Sequence, residues 1–202
     1  MPHMAQFLAL YPDIRLDMAL EDRTVDLIEA GMDVALRIGA LADSTLVARR
    51  LGPHRRYPMA SPAWLATQPP ISEPGDLARL EGLSFALQAG AAWYCRPIDA
   101  PRTSYQAVPV VGRLRVNDSD ALLQAAIAGL GVALLPEWMA WQEIQKGTLV
   151  ALLPHWHWAM STGPEPSIWG VYPPKKTLSP KVRVFLDFMS SKINAGTFRP
   201  QP

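Results

Sequence analysis

Between Val110 and Pro136 the chain, VVGRLRVNDSDALLQAAIAGLGVALLP, changes its hydrophobic period twice. A strand-like apolar run leads to Asn117-Asp118-Ser119. A segment rich in Ala and Leu follows, closed by Gly129 and Gly131, and then Val132 to Leu135, stopped by Pro136. This order predicts a βαβ unit, with Asp118 or Ser119 as the cap of its helix. Such a cap leaves first-turn N–H groups just beyond the carboxyl end of a strand, where unpaired donors and the positive end of the helix dipole both suit an anionic ligand. The same pattern also describes an ordinary capped crossover helix that holds nothing.

The remaining elements read in order around that unit. Residues 2–10 predict a helix with Met4, Phe7 and Leu8 on one face, ended by Tyr11-Pro12. Ile14 to Leu20 alternates and predicts a strand exposed on one face or lying at a subunit contact. Residues 24–30 predict a short helix with Val25, Leu27 and Ile28 inward and Gly31 as its stop, and Asp33 to Ile38 a buried strand. Together these would form a first βαβ unit. Extended segments are expected at 46–51 and 57–60, with Ser61-Pro62 starting a short helix. A further helical turn is expected at 76–80 and a strand at 83–87. Residues 88–102 have no clear period and are expected to be a long loop carrying Trp93, Tyr94 and Cys95. After that unit come a helix from Pro136 to Ile144 with Pro at its first position, a strand at 149–153, an irregular stretch at 155–166 and a strand at 168–172. The last helix starts at Ser179-Pro180 and buries Val182, Phe185, Leu186, Met189 and Ile193, with fraying from Asn194 onward.

Composition narrows the class. With 202 residues, 49% hydrophobic and 18% charged, the chain can bury a sizeable core as one domain or two small lobes. No apolar run approaches the roughly 18 residues of a membrane span, and the start lacks the pattern of a signal peptide, so a cytoplasmic location is expected. The net charge of +1 argues against the chain itself gripping nucleic acid. The local basic run Arg49 to Arg56, broken by Gly52 and Pro53, reads as a solvated turn. Cys95 has no adjacent His and no nucleophile motif, which leaves an inert thiol. His155 and His157 have alternate spacing but no third metal ligand nearby in sequence, and no phosphate loop or dinucleotide glycine motif is present. No enzyme activity, cofactor or metal is therefore expected.

Several spaced motifs, in order, carry a resemblance. The run FLALYPDIRLDMALEDRTVDLIEAGMDVALRIGALADSTLVARRL, then ASPAWLA, GRLRVNDSDALLQAAIAGLGVALLPEWM and VYPPKKTLSPKVRVFLDFM, closely resembles the effector-binding domain of LysR-type transcriptional regulators over nearly the whole chain. The resemblance implies an α/β, two-lobed, type 2 periplasmic-binding-protein-like fold with two crossover segments, near His54 to Pro58 and near Glu165 to Ile168. Residues 1–57 plus 167–202 would form lobe one and residues 58–166 lobe two, with a small-molecule effector in the inter-lobe cleft. It also implies a homodimer in which Met4 to Leu20 pack on the partner's Asp120 to Leu135. DNA would be bound only through an N-terminal winged helix-turn-helix, which this sequence lacks together with the domain's first strand. On that ground lobe one as written is expected to be less stable than a complete one.

Six residues are the expected effector-binding set. Arg37 and Ser44 flank the loop after a buried strand, and Asn117, Asp118 and Ser119 start the central helix; in a cleft fold these loops face one another across the ligand. Arg37 would pair with a carboxylate on the effector, or else with a neighbouring acid, Asp33 or Asp43. Trp93 would wall the cleft, or else cover a core edge. Asp118 discourages anions close by, so a neutral or hydroxylated aromatic effector stays open as well.

Overall fold

The computed structural model describes residues 3–20, 25–39, 45–86, 88, 90–174 and 178–195. The chain divides into two compact units, Met1–Pro53 with Pro166–Gly196, and His54–Glu165.

The first unit is a three-stranded antiparallel sheet under one long helix. Strand β1 (Ala35–Gly39) pairs with β11 (Ser167–Tyr172), which pairs in turn with β2 (Val47–Pro53). Helix α5 (Pro180–Ala195) keeps its apolar residues at helical spacing, so Val182 and Leu186 form one face that packs with Leu51 and Ile168. Gly170 permits the closeness of that packing. A Cβ there would stand 2.3 Å from Leu186 Cδ2. Helix α1 (Met4–Leu10) contributes Phe7, fully buried against Phe185 in an edge-to-face pair at 5.4 Å and against Phe188 at 5.2 Å. Leu8, expected on the same face, is 40% exposed.

Four expectations are corrected here. Residues 14–20 form no strand, because none of the described residues offers them a hydrogen-bonding edge, and Leu20 is 78% exposed. The helix expected at 24–30 is a single turn among its described residues. The Asp26 carboxylate accepts from the amides of Ile28 (2.8 Å) and Glu29 (3.2 Å), and Gly31, at φ 64°, ends the turn. Leu27 is buried, whereas Ile28 is 63% exposed. Among the described residues the first βαβ unit is consequently absent, and β1 lies antiparallel to its neighbour. The basic run is not a solvated turn either. It spans the end of β2 and the start of β3 (Arg56–Ala60), with Leu51, Gly52 and His54 buried.

The second unit holds a mixed eight-stranded sheet. Its order is β6 (Gln106–Pro109), β5 (Ala92–Pro97), β10 (Trp156–Ala159), β3, β8 (Val132–Pro136), β4 (Gly82–Phe85), β7 (Arg115–Val116), with β9 (Val150–Ala151) also on β3. Strands β7, β4 and β8 are parallel, and helix α3 (Ser119–Ile127) makes the crossover from β7 to β8. The predicted βαβ unit at 110–136 is therefore present. All five residues of β8 are buried, as expected of a parallel strand covered on both faces. Gly131, at φ 154°, lets the chain turn into β8 beside Glu81, where a Cβ would lie 2.3 Å from the Glu81 carbonyl oxygen.

Residues 88–102 and 155–166 are not loops throughout. They supply β5 and β10, which pair antiparallel from Trp156↔Pro97 to Ala159↔Tyr94. Helix α2 (Pro62–Leu65) follows Ser61 with Pro at its start. Helix α4 (Glu137–Lys146) starts one residue later than expected, with Pro136 as the residue before its first turn, and stops at Gly147 in the left-handed region at φ 73°. Among the described residues no helix is long and apolar enough to cross a membrane, and no group of three or more His, Cys, Asp or Glu is arranged to hold a metal ion.

Candidate functional site

The parallel strands of the second unit set up the site. Their carboxyl ends, Val116 of β7, Phe85 of β4 and Pro136 of β8, lie along one edge of the sheet. At that edge Ala86 N donates to Val116 O at 2.6 Å and Arg115 Nη2 to Ala86 O at 2.9 Å, which ties the two chain segments together where they leave the sheet.

Helix α3 begins directly after β7. Asp118 is its cap, accepting from Ala121 N at 2.7 Å, and Leu122, Leu123, Ala125 and Ala126 form the buried face that holds the helix on the sheet. Asn117 and Asp118 are exposed and Ser119 is half-buried. With the Ala121 amide taken by Asp118, the amides of Ser119 and Asp120 are the first-turn donors without a partner inside the helix. Asp120 adds a second carboxylate to that turn. The helix end thus offers hydroxyl and N–H donors inside a locally acidic frame.

In the first unit Arg37 lies on β1, half-buried, and its Nη2 donates to Val25 O at 3.0 Å. Asp33 does not pair with it and instead accepts from Lys181 Nζ at 2.7 Å. Ser44 and Asp43 lie outside the described residues. Trp93 requires a correction: it is a β5 residue, 3% exposed, inside the core of the second unit. The strand pairing of β5 turns its indole inward, so it supports the sheet and walls no ligand.

Two polar clusters in the second unit were not read from the sequence. Glu165 accepts from Arg96 Nη2 and from Arg102 Nη2, each at 3.0 Å, and stands 3.6 Å from His157 Nε2. Arg96 is buried, and its Nη1 also donates to the carbonyls of Pro97, Ile98 and Ala100. Burial first, and then Arg96, hold His157 below the usual histidine range. The second cluster joins the segment between β2 and β3 to α4. Trp138 Nε1 donates to His54 Nδ1 at 3.2 Å, and Glu137 is buried, its carboxyl pushed up to about 7 by burial. The signals were weak: a histidine inside a basic run, and an acid directly after a proline.

An open groove of about 610 Å³ lies elsewhere, by the carboxyl ends of α3 and α4, with Ser61, Trp64, Ile127, Gly129 and Thr148 on its walls. None of the expected effector residues lines it.

Comparison with known proteins fixes the family. The model of the LysR substrate binding domain matches residues 1–193. The chain is a LysR substrate-binding domain. It is 30% identical over 195 residues to the HTH-type transcriptional regulator PtxR of Pseudomonas aeruginosa, covering 96% of this chain and 60% of PtxR. It is 34% identical over 196 residues to an HTH-type transcriptional regulator of Xanthomonas campestris, covering 96% of this chain and 55% of that protein. This LysR substrate-binding domain thus spans somewhat over half the length of these relatives.

Among solved structures it resembles CrgA, a LysR-type transcriptional regulator from Neisseria meningitidis, with a TM-score of 0.75 and 29% identity over 95% of this chain and 63% of that one. The regulatory domain of AphB from Vibrio vulnificus gives 0.74 and 28% over 94% and 90%. The fold is accordingly the periplasmic-binding-protein-like α/β fold of LysR-type regulatory domains.

Proposed function

We propose that this domain senses a small organic effector and passes the signal to DNA through a winged helix-turn-helix belonging to the same regulator. The observation that supports this reading most is the start of α3, whose donors sit at the carboxyl ends of parallel strands, where α/β folds collect ligands. On this reading the effector lies in the cleft between lobe one, residues 1–57 and 167–202, and lobe two, residues 58–166. Asn117, Asp118 and Ser119 hold it, together with Arg37 and Ser44. Binding shifts the population of lobe arrangements, which biases how the DNA-binding domains sit on their site and needs no chemistry. The regulator acts in the cytoplasm, and membrane, metal and cofactor have no part in it.

Replacing Ser119 with Leu in an intact regulator is expected to abolish the effector response while leaving folding and basal DNA binding nearly unchanged. Transcription from the target promoter and circular dichroism of the same variant check this. A variant that responds at the wild-type effector concentration removes the start of α3 from the site.

The relevant assembly is a homodimer. The surface of 8–20 carries Leu8, Leu10, Met18 and Leu20 at 40 to 78% exposure, and Leu130 beyond α3 is 53% exposed, so apolar area is open on both proposed contact surfaces. The protein is expected to sediment as a dimer at micromolar concentration. Monomer under those conditions rules this contact out.

A further inference from the structure

The imidazole of His54 is a buried donor without an acceptor. Its Nδ1 accepts from Trp138 Nε1 at 3.2 Å, so that nitrogen carries no proton and the neutral ring must hold its proton on Nε2. The residue is 7% exposed, and burial, helped by the charge of Arg56, pushes its pKa down to about 3, so the ring is neutral at physiological pH. Among the described residues Nε2 has no hydrogen-bond partner. Such a group costs about 1–3 kcal/mol if nothing satisfies it.

Arg56, two residues on, is in a complementary condition. Its guanidinium is half-buried at the start of β3, Nη1 donates to Leu134 O at 3.1 Å, and it forms no ion pair among the described residues. Burial lowers its pKa to about 10, which leaves it charged at neutral pH but poorly solvated. An unsatisfied donor and a cation without a counter-ion therefore stand within electrostatic reach of each other, and both are relieved by the same kind of partner.

We propose that His54 Nε2–H and the Arg56 guanidinium form a subsite for a carboxylate. The subsite belongs to the end of β8 and the beginning of α4, whereas the effector contacts proposed above belong to the end of β7 and the beginning of α3. Strands β8 and β4 lie between β3, which carries Arg56, and β7, which puts the two places about 14 Å apart across the sheet. Nε2 itself is buried, while Arg55 beside it is exposed and Trp138, which donates to the ring, is 42% exposed. The other charged and titratable neighbours are Arg55, which favours an anion, Tyr57, and Glu137, which opposes one when ionised. Because burial holds the Glu137 carboxyl up to about 7, it is largely neutral at pH 6 and largely charged at pH 8. Carboxylate binding is thus expected to strengthen as pH falls across that interval.

The test uses the full chain labelled with ¹⁵N-histidine, observed by NMR through long-range coupling to the ring protons. His54 is expected as the Nε2-protonated tautomer from pH 6 to 8, and its Nε2 resonance should shift saturably with sodium acetate, but not with sodium chloride at equal ionic strength. Arg56→Gln should weaken the acetate response by about tenfold, and Ser119→Leu should leave it unchanged, which separates this subsite from the effector contacts at α3. An Nδ1-protonated ring overturns the proposal without any variant. So does an equal response to chloride. An Nε2 resonance that ignores acetate assigns the donor to an internal water and overturns it as well.

Discussion

The two sheets of this domain present their ends in opposite ways. In the first unit every pairing is antiparallel, so strand starts and strand ends alternate along each edge. In the second, three parallel strands bring three carboxyl ends to one edge, and α3 and α4 both begin there. Donor-bearing helix starts accumulate only in the second arrangement, which is why its edge is the better place to look for ligand chemistry. The first unit contributes Arg37 from within a strand, already bonded to the Val25 carbonyl.

The comparison extends to two stretches with similar apolar spacing, 14–39 and 110–136. The later one forms strand, helix and strand because β4 lies between β7 and β8 and pairs with both. The earlier one has no such central strand among the described residues, and its helix is reduced to a turn held by Asp26. Glycine substitutions should separate the two most strongly. Gly131→Ala places a Cβ 2.3 Å from the Glu81 carbonyl oxygen at φ 154°, and that carbonyl is fixed by Val132 N at 2.9 Å. A loss of about 3 kcal/mol or more is expected. Gly31→Ala, at φ 64° with nothing within 4 Å, should lose only about 1 kcal/mol. Urea midpoints of the two variants measure the contrast, and equal losses would mean that the turn into β8 is no more constrained than the turn before β1.

The acidic caps provide a smaller and sharper contrast. Asp118→Ala removes the cap of a nine-residue helix and should cost about 1 kcal/mol. Asp26→Ala, in an exposed single turn, should cost within about 0.5 kcal/mol. Hydrogen exchange localises the effect: faster exchange at Ala121 is expected in the first variant, and a global change in the second would contradict the local role of Asp26.

What the sequence made legible follows from the range of the forces involved. Helices α3 and α5 and strand β8 carry their own signals in caps, glycines and periodicity, so their positions could be read locally. Strands β5 and β10 could not. Trp156 to Ala159 and Tyr94 to Pro97 are about sixty residues apart, and neither alternates cleanly; each is a strand because the other lies beside it. Trp93, one residue before that pairing, is held in β5 by Val108 of β6, a second partnership that its own stretch does not announce. For the candidate site, Asn117, Asp118 and Ser119 were legible as a helix start. The buried state of His54 was not, because Arg55 and Arg56 beside it gave the run a solvent-like composition.

Cys95, the only cysteine of the chain, is fully buried in β5, accepts from Gln106 Nε2 at 3.4 Å, and has its thiol pushed up by burial. A protonated sulfur beneath a sheet reacts with an alkylating reagent only when the strands above it part. The domain therefore carries a built-in clock: the rate at which a single thiol becomes labelled reads out how often the β5–β10 pair opens. Since that pair lies in the same sheet as β4 and β8, any bound molecule that steadies the sheet should slow the clock, with no need to know in advance what the molecule is.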